Sequence, residues 1–87
     1  MEKDTIKVLI IDDNVSLIQM VKEYFKDSSK IKVVLESYDG KDGIEVIDSK
    51  KDEYDVIVLD LIMPKKDGMY VLKEMRSRGI DKKVIVA

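Results

Sequence analysis

At 87 residues, 45% hydrophobic and 39% charged with the signs mixed along the chain, the protein has room for one small domain with a real core and lacks the composition of a disordered tail. A formal net charge of −2 and a pI near 5.1 leave no clustered surplus of Lys and Arg, so nucleic acid is not expected as a partner of this chain. Zero His and zero Cys exclude disulfides, thiolate metal sites and imidazole bases, so any chemistry must come from carboxylates.

The opening stretch Met1–Lys7 lacks an apolar run of signal-peptide length, and no later run approaches a bilayer span; a cytoplasmic location with no membrane partner is the expectation. Val8-Leu9-Ile10-Ile11 is continuously apolar, as suits a strand buried on both faces of a parallel sheet, and it stops at Asp12. Asn14 is placed to cap a helix whose inward stripe would be Leu17, Ile18, Val21, Tyr24 and Phe25. Ser28-Ser29-Lys30 breaks that helix, and the β-branched stretch Ile31–Ser37 predicts a second strand.

Asp39-Gly40 turns the chain into a weaker helical stretch through Ile44 and Ile47, followed by the polar run Asp48–Glu53 of a surface connection. Val56-Ile57-Val58-Leu59 repeats the first strand pattern and also ends in an acid, Asp60. Pro64 lacks a backbone donor and favours a loop. Asp67-Gly68 opens a third amphipathic segment with Val71, Leu72 and Met75 inward, Gly79 suits a left-handed helix end, and Lys83–Ala87 starts a fourth strand. The order β-α-β-α-β-α-β predicts an α/β unit of parallel strands joined by right-handed crossovers.

In such a sheet the ligand site lies beyond the carboxyl ends of the strands, where the strand order reverses, and Asp12, Asp13 and Asp60 all fall there. Crowded like charges are costly unless a cation joins them. A hard ion with oxygen ligands answers that need, and Mg²⁺ suits one or two carboxylates while keeping waters for a phosphoryl oxygen. Carboxylates also form acyl phosphates; Asp60, alone at its strand end, is the candidate nucleophile, and the Asp12-Asp13 pair the candidate metal holder. Taken singly, each acid is as readily a helix cap or a solvent-facing group. Met20, Met63, Met69 and Met75 are read as core or loop filler, and Lys50, Lys51, Lys65 and Lys66 as solvated faces.

The assembled pattern of apolar strand, Asp12-Asp13-Asn14, apolar strand, Asp60-Leu61-Ile62-Met63-Pro64, then Asp67-Gly68 strongly resembles the receiver domain of bacterial two-component response regulators, from about Lys7 to Ala87. The resemblance implies a flavodoxin-like (CheY-like) α/β fold, with a parallel sheet and flanking helices, and a single receiver domain over 1–87. It implies that Asp60 is phosphorylated by a histidine phosphotransferase or a sensor histidine kinase. It also implies that Asp12, Asp13, Asp60 and the backbone carbonyl of Ile62 hold Mg²⁺, with Mn²⁺ or Ca²⁺ able to substitute. A finer likeness, to the receivers of sporulation regulators in spore-forming bacteria, is carried by Met1-Glu2-Lys3, Ile6-Lys7-Val8, Glu23-Tyr24 and Tyr38-x-Gly40, and implies control of a transcription factor whose DNA-binding domain is not in this chain.

Members of that family carry a hydroxyl residue at the end of the fourth strand and a Lys at the end of the fifth, and neither position occurs here. The domain is therefore expected to be incomplete at its C-terminus, truncated after the fourth strand, with Val84–Val86 as an open sheet edge that invites a homodimer by edge pairing or element exchange. A phosphorylation-incompetent receiver fragment that acts only as an interaction module is the alternative. A phosphohydrolase with an aspartyl nucleophile is disfavoured, because Ile62 stands where that chemistry needs its second acid.

Overall fold

In a computed structural model that describes residues 4–63 and 68–87, the elements are β1 (Ile6–Ile11), α1 (Val15–Phe25), β2 (Ile31–Ser37), α2 (Gly40–Ser49), a 3-10 turn (Lys51–Glu53), β3 (Val56–Leu59), α3 (Gly68–Ser77) and β4 (Lys83–Val86). The strands form one parallel sheet in the order β2-β1-β3-β4, the CheY-like arrangement expected. The order reverses between β1 and β3, since the chain steps to one side for β2 and to the other for β3 and β4. A site at that reversal is therefore built from the ends of β1 and β3.

Alternate side chains of each strand go to opposite faces. Leu9, Ile11, Ile57 and Leu59 are fully buried on one face, packed with Ile44 and Ile47 of α2 and Val71 and Met75 of α3. Removing that much apolar surface from water is the main stabilising contribution, roughly 1.5–3 kcal/mol for each side chain fully buried. On the other face Val8, Ile10, Val56 and Val58 line, together with Val21 and Phe25 of α1, an apolar groove of about 440 Å³. The outermost strand, β4, is half open there, with Ile85 54% exposed.

Opposite it, β2 carries a bulge. Val8 pairs with Val33 but Leu9 pairs with Leu35, so Val34 is an extra residue, half outside the sheet. Bulges are frequent on edge strands, where they disrupt the template an outside strand would use.

Local signals account for the helix ends. The Asn14 side chain accepts from the Leu17 amide and caps α1, and that of Asp39 accepts from the Asp42 amide and caps α2. Gly79, at φ 68°, ends α3 as predicted, with the Gly79 amide donating to Arg76 and the Ile80 amide to Met75. The Arg78 guanidinium beside it bridges Glu45 and Asp48 of α2 and Glu74 of α3 at 3.0–3.2 Å.

Several expectations are corrected. The inward stripe of α1 expected to include Leu17 and Tyr24 does not hold there: both are exposed, Tyr24 at 82%, while Ile18 is fully buried and Val21 and Phe25 are half-buried, because among the described residues no element covers the Leu17 and Tyr24 side of the helix. Met20, read as filler, is exposed on the same helix. The polar run Asp48–Glu53 is not all connection, since Asp48 and Ser49 finish α2 and Lys51–Glu53 form the 3-10 turn. The expectations for Pro64, Lys65, Lys66 and Asp67 lie outside the described residues.

Tyr54 is the largest fully buried side chain, and its hydroxyl donates to the Ile47 carbonyl at 2.9 Å. Burial, with the negative charge of Asp48 behind it, pushes its phenol from 10.0 up to about 12. The proton is thus held more tightly in the fold than in the unfolded chain, so stability contributed by Tyr54 is complete below pH 10.0 and lost as pH rises through about 12. A rise in phenolate absorbance coincident with alkaline unfolding should be missing in Tyr54→Phe; that variant should also be about 1 kcal/mol less stable at neutral pH.

Candidate phosphoacceptor and metal site

Asp12 and Asp60 are carried to the carboxyl edge by backbone hydrogen bonds that continue the sheet past the strands, and Asp13 follows Asp12 in the chain. The Asp60 amide donates to the Ile11 carbonyl at 2.9 Å, and the Asp12 amide to the Ser37 carbonyl at 3.1 Å. These two bonds tie the end of β3 to β1 and the end of β1 to β2. Asp12, Asp13 and Asp60 thereby offer carboxylate oxygens that all lie within 4.8 Å of one another. The three residues that sequence reasoning singled out are the three that the fold brings together.

The carboxylates sit in different surroundings. Asp12 is buried, Asp60 half-buried and Asp13 exposed. Asp12 Oδ1 accepts from the Asn14 amide at 2.9 Å, and Asp60 Oδ1 accepts from the Ile62 amide at 3.0 Å. Burial pushes the Asp12 carboxyl above the usual 3.8; the Asn14 amide pulls the other way, and the charges of Asp60 and Asp13 push it up further. The repulsion among these groups is relieved by a proton or by a cation, and an all-oxygen donor set without nitrogen or sulfur suits a hard divalent ion such as Mg²⁺.

Ile62 is the outer lip of the site, its side chain 85% exposed. Ser37, at the end of β2, is turned away from the acids, with its hydroxyl donating to Asp42 Oδ2 at 2.6 Å. Two contributors were undervalued by sequence reasoning. Asn14, read only as a cap, also fixes Asp12 through its amide. Gly68, read only as a helix opener, donates its amide to the Leu61 carbonyl at 3.1 Å; a glycine eight residues beyond an acid gives no signal of contact until the loop is folded.

Residues 8–87 match the response regulator receiver domain family. The transcriptional regulatory protein CiaR of Streptococcus pneumoniae is 35% identical over 81 residues, which are 93% of this chain and 34% of that protein. The chain thus spans about a third of the length of that curated relative. The receiver domain of the Francisella response regulator 1452 superposes with a TM-score of 0.80 at 35% identity, covering 94% of this chain and 64% of that one. CheY, in a complex with CheX, BeF₃ and Mg²⁺ from Borrelia burgdorferi, gives 0.80 at 26% identity, covering 93% and 60%.

Burial of the Asp12 carboxyl, and then the charges of Asp60 and Asp13 around it, make the metal-free fold less stable than it would be with one acid fewer. Because the Asp12 proton is held more tightly in the fold than in the unfolded chain, the cost is absent at low pH and grows as pH rises above 3.8. Asp12→Asn, which keeps an acceptor for the Asn14 amide, should raise the metal-free melting temperature at pH 7 by about 4 °C, with the gain vanishing in acid. Millimolar Mg²⁺ should stabilise the parent chain and not the variant, as calorimetric melts in EDTA and in Mg²⁺ would show.

Proposed function

Since the chain belongs to the response regulator receiver family, we propose that it is a signalling phosphoacceptor in which Asp60 takes a phosphoryl group from a phosphohistidine, with Mg²⁺ held by Asp12, Asp13, Asp60 and the Ile62 carbonyl. The observation that carries this is the meeting of Asp12, Asp13 and Asp60 within 4.8 Å at the reversal of strand order. Receiver domains are signalling domains and not enzymes in the ordinary sense; the only transfer proposed is onto the chain itself.

The Ile62 amide holds one oxygen of the Asp60 carboxylate, and the other attacks phosphorus. The O–P bond forms as the N–P bond of the phosphohistidine breaks, and the leaving imidazole nitrogen takes the electron pair and then a proton. Bound Mg²⁺ supplies neutralisation of the phosphoryl oxygens and of the carboxylates around them. Asp13, exposed at the mouth, and Asp12, buried beneath, place negative charge on the metal side of Asp60, so an approaching phosphoryl group is repelled until the ion is bound.

The donor is a histidine phosphotransferase or a sensor histidine kinase. The transcriptional regulator among the relatives supports an output through transcription; the sporulation role rests only on the likeness of the opening residues and of Glu23-Tyr24 and Tyr38-x-Gly40. A cytoplasmic location accords with this chemistry, and no helix among the described residues is long and apolar enough to cross a membrane.

A second role, pairing with another copy, is favoured by the apolar groove beside α1 and the half-open strand β4. Light scattering should then report a dimer that Ile85→Lys converts to a monomer, and a monomeric parent chain would dispose of it.

For the leading proposal, a small acyl phosphate and Mg²⁺ should add the mass of one phosphate to the chain. The gain should vanish in Asp60→Asn and in excess EDTA, and should return as a hydroxylamine-sensitive adduct in the parent chain alone. Labelling that persists in Asp60→Asn would remove the assignment.

A further inference from the structure

Gly68 is buried at the start of α3, and its φ is not positive, since among the described glycines only Gly79 has that conformation. The backbone therefore does not require glycine there. Space does. A Cβ built on Gly68 would lie 2.6 Å from the Asp60 carbonyl oxygen, 2.6 Å from Leu61 Cα and 2.9 Å from Leu61 Cδ2. The two shortest contacts are to main chain, which cannot swing aside as a flexible side chain can.

The position of that main chain matters because of what hangs from it. The peptide unit between Leu61 and Ile62 is held at both ends: its carbonyl oxygen accepts from the Gly68 amide at 3.1 Å, and its N–H donates to Asp60 Oδ1 at 3.0 Å. One rigid plane thus connects α3 to the carboxylate of the phosphoacceptor. Rotating or lifting it would release Asp60 Oδ1 from its donor and let the carboxylate turn about its own torsions.

We propose that Gly68 is a positioning residue for phosphoryl transfer: by lacking a side chain it lets α3 seat against Asp60 and Leu61, and through the Leu61–Ile62 peptide it sets the direction of the Asp60 carboxylate. This rests on Asp60 as phosphoacceptor for its chemical consequence, but the geometric link stands apart from it. Misplacement of a reacting group by about 1 Å can lower a rate by roughly 100-fold, so the effect is measurable even where the fold survives.

The test compares Gly68→Ala with Gly79→Ala in the full chain. Gly79 has nothing within 4 Å of its would-be Cβ, and alanine there strains only the φ of 68°, beyond the end of α3 opposite to Gly68. Both variants are assayed well below their melting temperatures, with trimethylamine oxide added if needed to keep them folded. Two quantities are read: the rate of acyl-phosphate labelling at saturating Mg²⁺ and donor, and the hydrogen-exchange rate of the Ile62 amide.

Gly68→Ala should label on the order of 10 to 100-fold more slowly and exchange the Ile62 amide faster by a similar factor, while Gly79→Ala matches the parent chain in both. Equal labelling and equal Ile62 exchange in the two variants would overturn the proposal. So would a Gly68→Ala chain that cannot be recovered folded, since Gly68 would then be a requirement of the fold and not of the site. A parent chain that takes no phosphate defeats the phosphoacceptor assignment instead, and the Ile62 exchange rates still decide the geometric link.

Discussion

Carboxylates that repel one another are held together here by hydrogen bonds in which they take no part. The Asp60 amide bonds to Ile11 and the Asp12 amide to Ser37, so three neighbouring strands fix the main chain from which two of the acidic side chains project. The force for convergence comes from the sheet, whose Leu9, Ile11, Ile57 and Leu59 are fully buried. Burial of the Asp12 carboxyl, and then the charges crowded around it, work against it, and both push that carboxyl up. A site of this kind keeps its shape while its charge changes, because the bonds that hold the acids in place are not the ones that titrate.

The two faces of the sheet divide the work. The face under α2 and α3 is closed by Ile44, Ile47, Val71 and Met75 and fixes the backbone on which the acids stand. The face under α1 is less fully covered, and the apolar groove there is lined by residues of all four strands. The Arg78 bridges from α3 to Glu45 and Asp48 of α2 add orientation on the closed side, though each exposed pair contributes little energy by itself. Rigidity is thus concentrated on the side of α3, the helix that bears on Asp60 through Gly68.

Much of this was legible in the residues. Continuous apolar runs ending in acids marked β1 and β3 and placed Asp12, Asp13 and Asp60 at one edge, because a parallel sheet leaves little choice of where strand ends meet. β2 and β3 matched their predicted limits, and Gly79 its predicted conformation. What escaped was set by tertiary context. Leu17 and Tyr24 fit an inward stripe by periodicity, yet no element covers that side of α1 among the described residues, so hydrophobic character did not translate into burial. The Gly68 contact escaped because steric fit between a helix and a loop leaves no periodic trace in a sequence.

The extra residue in β2 has an effect that reaches beyond its edge. Val33 lies on the groove face beside Val8, whereas Leu35, two positions on, joins the opposite core beside Leu9. Ordinary alternation would have kept the two together. The inversion puts Ser37 within reach of Asp42 and leaves Glu36 on the side where Lys22 of α1 meets it at 3.1 Å. Val34 therefore carries the change of face: as the residue without a partner in β1, its excision would leave Val33 beside Val8 and Leu35 beside Leu9 as consecutive residues of a regular strand, with the Ser37 carbonyl that steadies Asp12 kept in place and a smoother edge offered to an outside strand.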